Sequence, residues 1–161
     1  MRWHYTNGRR IDAIFASGKL KPAASCNSSR MRPAVWFSAN AHWEATANRA
    51  VRRIDGSVLR CDREQTDLFC DGLFRVEIGA STMLASWREM AAMCGMQPGD
   101  RLKIESLARR LGSNPLQWYA SLRSIDRDHW TAIERWNGGD WEPVEACAMS
   151  LAPSVATRLA G

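Results

Sequence analysis

The sequence contains no long hydrophobic run. No apolar segment approaches the ~20 residues that a membrane-spanning helix requires, and its N-terminal residues are basic and lack the apolar core of a signal peptide. We therefore expect a cytoplasmic protein that does not enter a membrane.

The cysteine and histidine patterns of metal sites and disulfide frameworks are also missing. The five cysteines are odd in number and scattered, with no C-x-x-C spacing, and the three histidines lack metal-ligand spacing. The cysteines are Cys26, Cys61, Cys70, Cys94 and Cys147. This pattern favours a reducing compartment and predicts neither disulfides nor a bound metal.

Glycine-rich phosphate loops are absent as well. The chain has no P-loop and no G-x-G-x-x-G, so the usual glycine cradles for nucleotide phosphates are excluded. It also lacks the G-x-S-x-G turn, and no Ser-His-Asp set is recognisable.

What the chain does contain is an ordinary apolar fraction with an excess of arginine and tryptophan. Of the 161 residues, 45% are hydrophobic and 24% charged, the net charge is +5, and eight tryptophans stand against two tyrosines. The basic residues are spread along the chain, which indicates a solvated charged surface, a phosphate-rich ligand or a nucleic-acid partner.

The first half predicts alternating strands and helices. Residues 2–5 read as a strand, and residues 8–17 as a helix that Gly18 ends. After a loop over residues 19–33, residues 34–38 form a buried strand and residues 42–53 a helix. A short strand is expected around residues 58–60.

The second half predicts two more helices followed by strands. Residues 73–78 alternate apolar and charged positions as a half-buried strand does, and residues 82–94 form an amphipathic helix. Asp100 is expected to cap a helix that runs to Leu111. Residues 118–124 form a strand, and Asn137-Gly138-Gly139-Asp140 joins residues 130–136 and 141–147 in a hairpin.

This order of elements predicts an α+β fold with antiparallel pairing. We expect one domain over residues 1–150 and a weakly structured tail over residues 151–161. A helix-turn-helix over residues 104–122, in a nucleic-acid-binding protein, is a competing interpretation.

The first two predicted strands end in polar residues. His4 lies between Trp3 and Tyr5 and is followed by Thr6, and Ser38 closes the second aromatic strand. A strand histidine is often only a satisfied core or edge residue. The pattern also fits two strand edges that face one cleft, with His4, Thr6 and Ser38 lining it.

Four motifs in order resemble the ADP-ribosyltransferase fold, in the branch of poly-ADP-ribose polymerases and diphtheria-toxin-like enzymes. They are His4-Tyr5-Thr6 for His-x-Ser/Thr, Gly-Lys-Leu-Lys-Pro at residues 18–22 for the turn after the first helix, Ala-Val-Trp-Phe-Ser at residues 34–38 for the second strand, and Glu-Ala-Thr-Ala-Asn-Arg at residues 44–49 for the following segment. The strand at residues 73–78 resembles the next core strand. This resemblance implies two antiparallel sheets that form a split cleft with flanking helices.

The resemblance also implies NAD as the ligand and assigns roles in binding it. The backbone at Tyr5 would pair with the nicotinamide amide, with Thr6 and Thr46 as further polar contacts. Trp36 would form an aromatic wall. Trp43 or Trp36 would replace the stacking tyrosine, whose place is taken here by Arg49.

The other end of NAD would meet polar and basic groups. By resemblance, His4 would hydrogen-bond the adenosine ribose. Lys21 and neighbouring arginines would neutralise the pyrophosphate.

The catalytic position of the family is a glutamate, and here it falls at or beside Gln117. Glu134, Glu142 and Glu145 on the later hairpin are alternative carboxylates, with Glu134 the first candidate. The resemblance implies ADP-ribose transfer to a macromolecule, a protein or a nucleic acid. The alternative is a catalytically degenerate nucleotide-binding or interaction module on the same fold.

Overall fold

The computed structural model describes residues 1–23 and 32–144. Cys26, Cys147, Glu145, most of the predicted loop after Leu20 and the tail at residues 151–161 lie outside these ranges, so the predictions made for them are not addressed by the structure.

A seven-stranded antiparallel sheet forms the centre of the molecule. In spatial order its strands are β11 (Trp141–Pro143), β10 (Trp130–Trp136), β6 (Leu73–Ile78), β1 (Arg2–Asn7), β3 (Val35–Ser38), β8 (Trp118–Ser121) and β7 (Ala85–Ser86). Two short antiparallel pairs stand apart from it: β2 (Lys19–Leu20) with β9 (Ile125–Asp126), and β4 (Ala50–Arg52) with β5 (Val58–Arg60).

In the described part of the chain, four α-helices accompany the strands and make this a small α+β domain, as the order of elements predicts. They are α1 (Gly8–Ser17), α2 (Arg63–Phe69), α3 (Trp87–Met93) and α4 (Pro98–Arg110). The arrangement differs from two separate sheets, because β1 and β3 join the strands on either side of them into one sheet.

Hydrophobic clusters cover both faces of the sheet. On one face, buried side chains of β2, β3, β6 and β9 pack with Ile14 of α1. On the other face, Met90 of α3 packs on Ala34 and Ala120, and Ala108 of α4 packs with Trp87 and Trp118. The sheet is therefore the middle layer, with α1 on one side and α3 and α4 on the other.

Two glycines position α1. Gly18 has φ 60° and its N–H bonds to the Phe15 carbonyl, which ends the helix where the sequence predicts. At the other end, a Cβ on Gly8 would stand 1.9 Å from the Asp71 carbonyl oxygen. Only glycine permits this approach.

The prediction of a helix over residues 42–53 is wrong. The Glu44 side chain accepts the Thr46 N–H and closes a single 3₁₀ turn, Ala45–Ala47. The chain then turns extended at Asn48 and continues as β4. A side chain that bonds the local backbone in this way competes with helix formation.

Capping boxes determine where two helices begin, and the sequence analysis predicts neither of these starting points. Asp62 and Gln65 form one at α2, a helix that was not predicted. Ser86 and Glu89 form another, so α3 begins at Trp87 and the residues before it form β7 instead of the start of a helix at residue 82. Asp100 does not cap α4 but lies in its first turn.

Residues 104–122 contain the end of α4, a 3₁₀ turn (Pro115–Gln117) and β8. A helix-turn-helix needs a second helix, so that interpretation does not fit this segment. The hairpin predicted at Asn137 is present, and the Asn137 carboxamide accepts the N–H groups of Gly139 and Asp140, each at 2.8 Å. In the ranges that the structure describes, no helix combines the length and the apolar character needed to cross a bilayer.

Candidate functional site

A cavity of about 740 Å³ runs along β1 and β3. Most of its wall comes from β1, α1, β2, β3, the segment after β3 and α4, and single residues of β5, α2, β6, α3 and β8 complete it. All eight residues that the sequence assigned to ligand binding line it: His4, Tyr5, Thr6, Lys21, Trp36, Ser38, Trp43 and Thr46.

The cavity lies where β1 and β3 part. The two strands pair in register at Trp3 and Ser38, and the pairing does not continue beyond them. Side chains from both faces of these strands line the cavity, since His4 and Trp36 have opposite orientations relative to the sheet. The gap between the strands is therefore part of the cavity.

The His4 imidazole bridges this gap. Its Nδ1 lies 2.9 Å from the Trp36 carbonyl oxygen. Because a carbonyl oxygen only accepts hydrogen bonds, Nδ1 carries the proton in the neutral ring and Nε2 has the free lone pair. Burial lowers the pKa of His4, and the charge of Arg10 lowers it further against the opposing effect of the Trp36 bond. The ring is thus neutral at pH 7.

An aromatic wall forms one side of the cavity. The rings of Trp36 and Trp87 are 5.8 Å apart, and Trp87 meets Trp118 edge-on at 5.3 Å. The Trp87 indole N–H donates to Glu105 at 2.8 Å, which holds the ring in place and lowers the pKa of that carboxyl. Flat apolar faces of this kind suit a planar ring.

Basic side chains line the part of the cavity next to α1 and at its rim. They are Arg9, Arg10, Lys19, Lys21 and Arg60. Arg9 pairs with Asp71 at 2.9 Å and Lys19 with Asp126 at 3.1 Å. Among the described residues Arg10, Lys21 and Arg60 form no ion pair, so their charge is available to an anionic ligand.

Glu44 is the one acidic side chain among the described residues that line the cavity, and it is only 7% exposed. Its Oε2 accepts from the Ser38 hydroxyl and the Trp118 indole, both at 2.9 Å. Its Oε1 accepts from the Thr46 hydroxyl at 2.8 Å and from the Ser113 hydroxyl. A buried carboxylate without a cation needs such donors. Glu44 thereby ties together β3, β8 and the segment after β3.

Tyr5 and Trp43 form the outer aromatic corner. Their rings meet edge-on at 5.0 Å, and Trp141 stacks on Trp43 at 6.2 Å. The Tyr5 hydroxyl donates to the Asn40 carbonyl, and burial raises the pKa of Tyr5 to about 12. Trp43 is fixed by its indole N–H, which donates to Asn48 at 2.8 Å. Ring contacts and hydrogen bonds therefore fix the positions of the Tyr5 and Trp43 side chains.

No protein-family model, curated protein or solved structure matches this chain. The site itself must therefore carry any functional conclusion.

The two side chains predicted to be catalytic lie away from the cavity wall. Gln117 ends the 3₁₀ turn before β8, and its backbone carbonyl accepts the Ala39 N–H at 2.8 Å. Glu134 forms an ion pair with Arg75, whose guanidinium also lies 3.8 Å from the centre of the Trp3 ring. The structure thus brings the predicted ligand-binding residues together and separates them from both predicted catalytic residues.

The sequence analysis does not identify Glu44 as a site residue. The helix predicted over residues 42–53 puts Glu44 in its first turn, where a glutamate is common because it stabilises the helix N-terminus. The available signal is its position between Trp43 and Thr46, six residues after Ser38 at the end of a buried strand. Among the described residues, no group of three or more His, Cys, Asp or Glu side chains is arranged to hold a metal ion.

Proposed function

We propose that this protein binds NAD in the cavity between β1 and β3 and is an ADP-ribosyltransferase-like protein that transfers ADP-ribose to a macromolecule. The observation that carries the proposal is the meeting of eight residues, chosen by their resemblance to family motifs, around one cavity. These residues come from four separate parts of the sequence.

The cavity has the chemical parts that NAD requires. Its volume of about 740 Å³ is within the range of roughly 300–1,000 Å³ common to small-molecule sites. Trp36 offers a flat face for the nicotinamide ring. Arg10 and Lys21 offer charge for the pyrophosphate, and His4 Nε2 accepts a hydrogen bond from a ribose hydroxyl. Under this proposal the parting of β1 and β3 corresponds to the family's split cleft.

Glu44 is the side chain best suited to assist transfer. Loss of nicotinamide from NAD leaves positive charge on the ribose carbon. A nearby carboxylate stabilises such charge in a site that excludes water. Glu44 supplies that carboxylate on the cavity wall, whereas Gln117 and Glu134 lie away from it.

NAD binding without transfer is the second candidate. It is supported by the bonding of Glu44, since each of its oxygens already accepts from at least two donors. A carboxylate so engaged has little capacity left for a ribose hydroxyl. In that case Glu44 positions Ser38 and Thr46 around the ligand and takes no part in chemistry.

Two measurements on the same protein separate these candidates. Calorimetric titration gives the NAD affinity, and chromatography gives the rate of nicotinamide release. For a transferase we expect Glu44→Gln to lower the release rate by about 100-fold while NAD affinity changes little. Binding by the parent protein without any release of nicotinamide would favour the second candidate. Absence of NAD binding would reject both.

A further inference from the structure

The β4–β5 pair forms a short two-stranded ribbon that is separate from the central sheet. In this ribbon Ala50 pairs with Arg60 and Arg52 with Val58, so these four side chains share one face. All four are exposed, whereas Val51 and Leu59 on the opposite face are half-buried. Ile54 stands fully exposed at the tip. One face of the ribbon is therefore turned to solvent and the other to the domain.

The exposed side of the ribbon carries unpaired positive charge. Arg52, Arg53 and Arg60 are exposed, and none forms an ion pair with a described residue. Asp55, the one acidic residue from Ala50 to Arg60, is engaged in the turn, where it accepts from the N–H and hydroxyl of Ser57. Its pKa is lowered by these bonds. The ribbon thus exposes three unpaired arginines, two of them on its solvent-facing face and Arg53 at the start of the turn.

The same ribbon borders the candidate site. Arg60 lines the cavity, and so do Thr46 and Ala47, which precede β4. A macromolecule held on the arginine face would therefore lie beside the opening of the cavity. Docking and chemistry would take place at adjacent points of one surface.

From this arrangement we infer that the acceptor is a nucleic acid, held through its phosphates by the arginine face of the β4–β5 ribbon. A two-stranded ribbon fits the major groove of a duplex, and arginine contacts to phosphate supply affinity independent of sequence. The exposed Ile54 adds an apolar side chain at the tip of the ribbon, next to Arg53.

This inference rests on the proposed function. The transfer breaks the bond between the ribose carbon and nicotinamide, and the electron pair leaves with nicotinamide. A nitrogen or oxygen of the nucleic acid bonds to the same carbon, and its proton passes to solvent. The ribbon holds the acceptor and takes no part in bond breaking.

The test compares two double variants with equal loss of charge. Arg52→Gln with Arg53→Gln alters the ribbon without touching the cavity. Arg88→Gln with Lys103→Gln removes the same charge from α3 and α4, also outside the cavity lining. Fluorescence anisotropy measures binding of a labelled mixed-sequence duplex and of its single strand, from about 50 to 200 mM salt. Calorimetry measures NAD affinity for each protein.

We expect the ribbon variant to bind nucleic acid at least about tenfold more weakly, with a salt slope smaller by about 1 to 2 because each lost phosphate contact removes ~0.9. The control variant should bind as the parent does, and both should keep the parent's NAD affinity. With labelled NAD and a cell extract, the transferred label should be lost on nuclease treatment.

Several outcomes would overturn the inference. The parent protein could bind no oligonucleotide, or bind anionic vesicles in place of nucleic acid. The ribbon variant could bind nucleic acid as tightly as the control variant does. The transferred label could be removed by protease but not by nuclease. If duplex binding depends on the ribbon but the parent binds no NAD, the proposed function fails and the nucleic-acid surface stands as a binding site only.

Discussion

The hydrogen bond between His4 and the Trp36 carbonyl spans the gap between β1 and β3 and determines which nitrogen of the imidazole can bind a ligand. It fixes the neutral tautomer of the ring and leaves Nε2 to a ligand. It also occupies a backbone oxygen at the point where β1 and β3 have ceased to pair. His4 is therefore both part of the fold and part of the candidate site.

Protonation of His4 should destabilise the fold. Its pKa in the folded protein is below the ordinary value of 6.5, so the unfolded chain takes up the proton first as pH falls. The contribution of His4 to the free energy of unfolding is complete above about pH 6.5 and declines below that pH. We expect the free energy of unfolding in urea to fall between about pH 7 and pH 5, and to fall less in His4→Gln. An equal decline in both proteins would contradict this assignment.

Loss of the Glu44 carboxylate should be costly, because five donors depend on it. Glu44→Ala leaves the Trp118 indole, the Thr46 backbone N–H and three hydroxyls without their acceptor. We expect a loss of about 3 kcal/mol in the free energy of unfolding. As a matched control, Glu142→Ala removes an exposed carboxylate bound to Asn137 and should cost less than about 0.5 kcal/mol. Similar values for the two variants would count against the network.

At the residue scale, the predicted ligand-binding residues line the cavity both where they lie on strands and where they do not. His4 and Trp36 lie on β1 and β3, whereas Trp43 and Thr46 lie in the segment after β3. The assignment of Gln117 rests on a distant family pattern, and in the structure this residue ends a 3₁₀ turn whose geometry that pattern does not specify. That is why its displacement from the cavity could not be foreseen.

At the element scale, local signals decided which segments were predictable. The strand at residues 73–78, the helix that Gly18 ends and the hairpin at Asn137 each carry a strong local pattern, and each is present. The helix predicted over residues 42–53 is absent. Its sequence favours a helix, but the Glu44 side chain bonds both the local turn and distant groups on β8. Tertiary bonds of that kind are not visible in a local sequence pattern.

Two glycines in helices offer a matched test of the packing of α1. Gly8→Ala places a Cβ against the Asp71 carbonyl, whereas a Cβ on Gly99 in α4 would meet nothing within 4 Å. We expect Gly8→Ala to lower the free energy of unfolding by about 3 kcal/mol. Gly99→Ala should raise it by up to about 1 kcal/mol, since alanine favours helix. Chemical denaturation measures both, and a tolerated alanine at position 8 would show that α1 starts elsewhere.

At the scale of the whole molecule, the sheet and the cavity depend on each other. The seven strands form one sheet, yet its centre is held at a single in-register pair, Trp3 with Ser38. The helices pack on both faces of the sheet. This packing holds β1 and β3 in one domain although the two strands stop pairing beyond Trp3 and Ser38. The α+β class follows from the order of elements. The parting of β1 and β3 does not follow from it, because the order of elements does not specify how far two neighbouring strands stay paired.

The most direct test of the account is calorimetric titration of NAD into the parent protein, Trp36→Ala, Lys21→Gln and Arg88→Gln. We expect saturable binding to one site in the parent. Trp36→Ala should bind about tenfold more weakly, a change of about 1.4 kcal/mol, and Lys21→Gln should also weaken binding because it removes an unpaired charge from the cavity wall. Arg88→Gln, outside the cavity, should match the parent. No NAD binding by the folded parent protein, or equal affinity in all four proteins, would contradict the claim that this cavity is an NAD site.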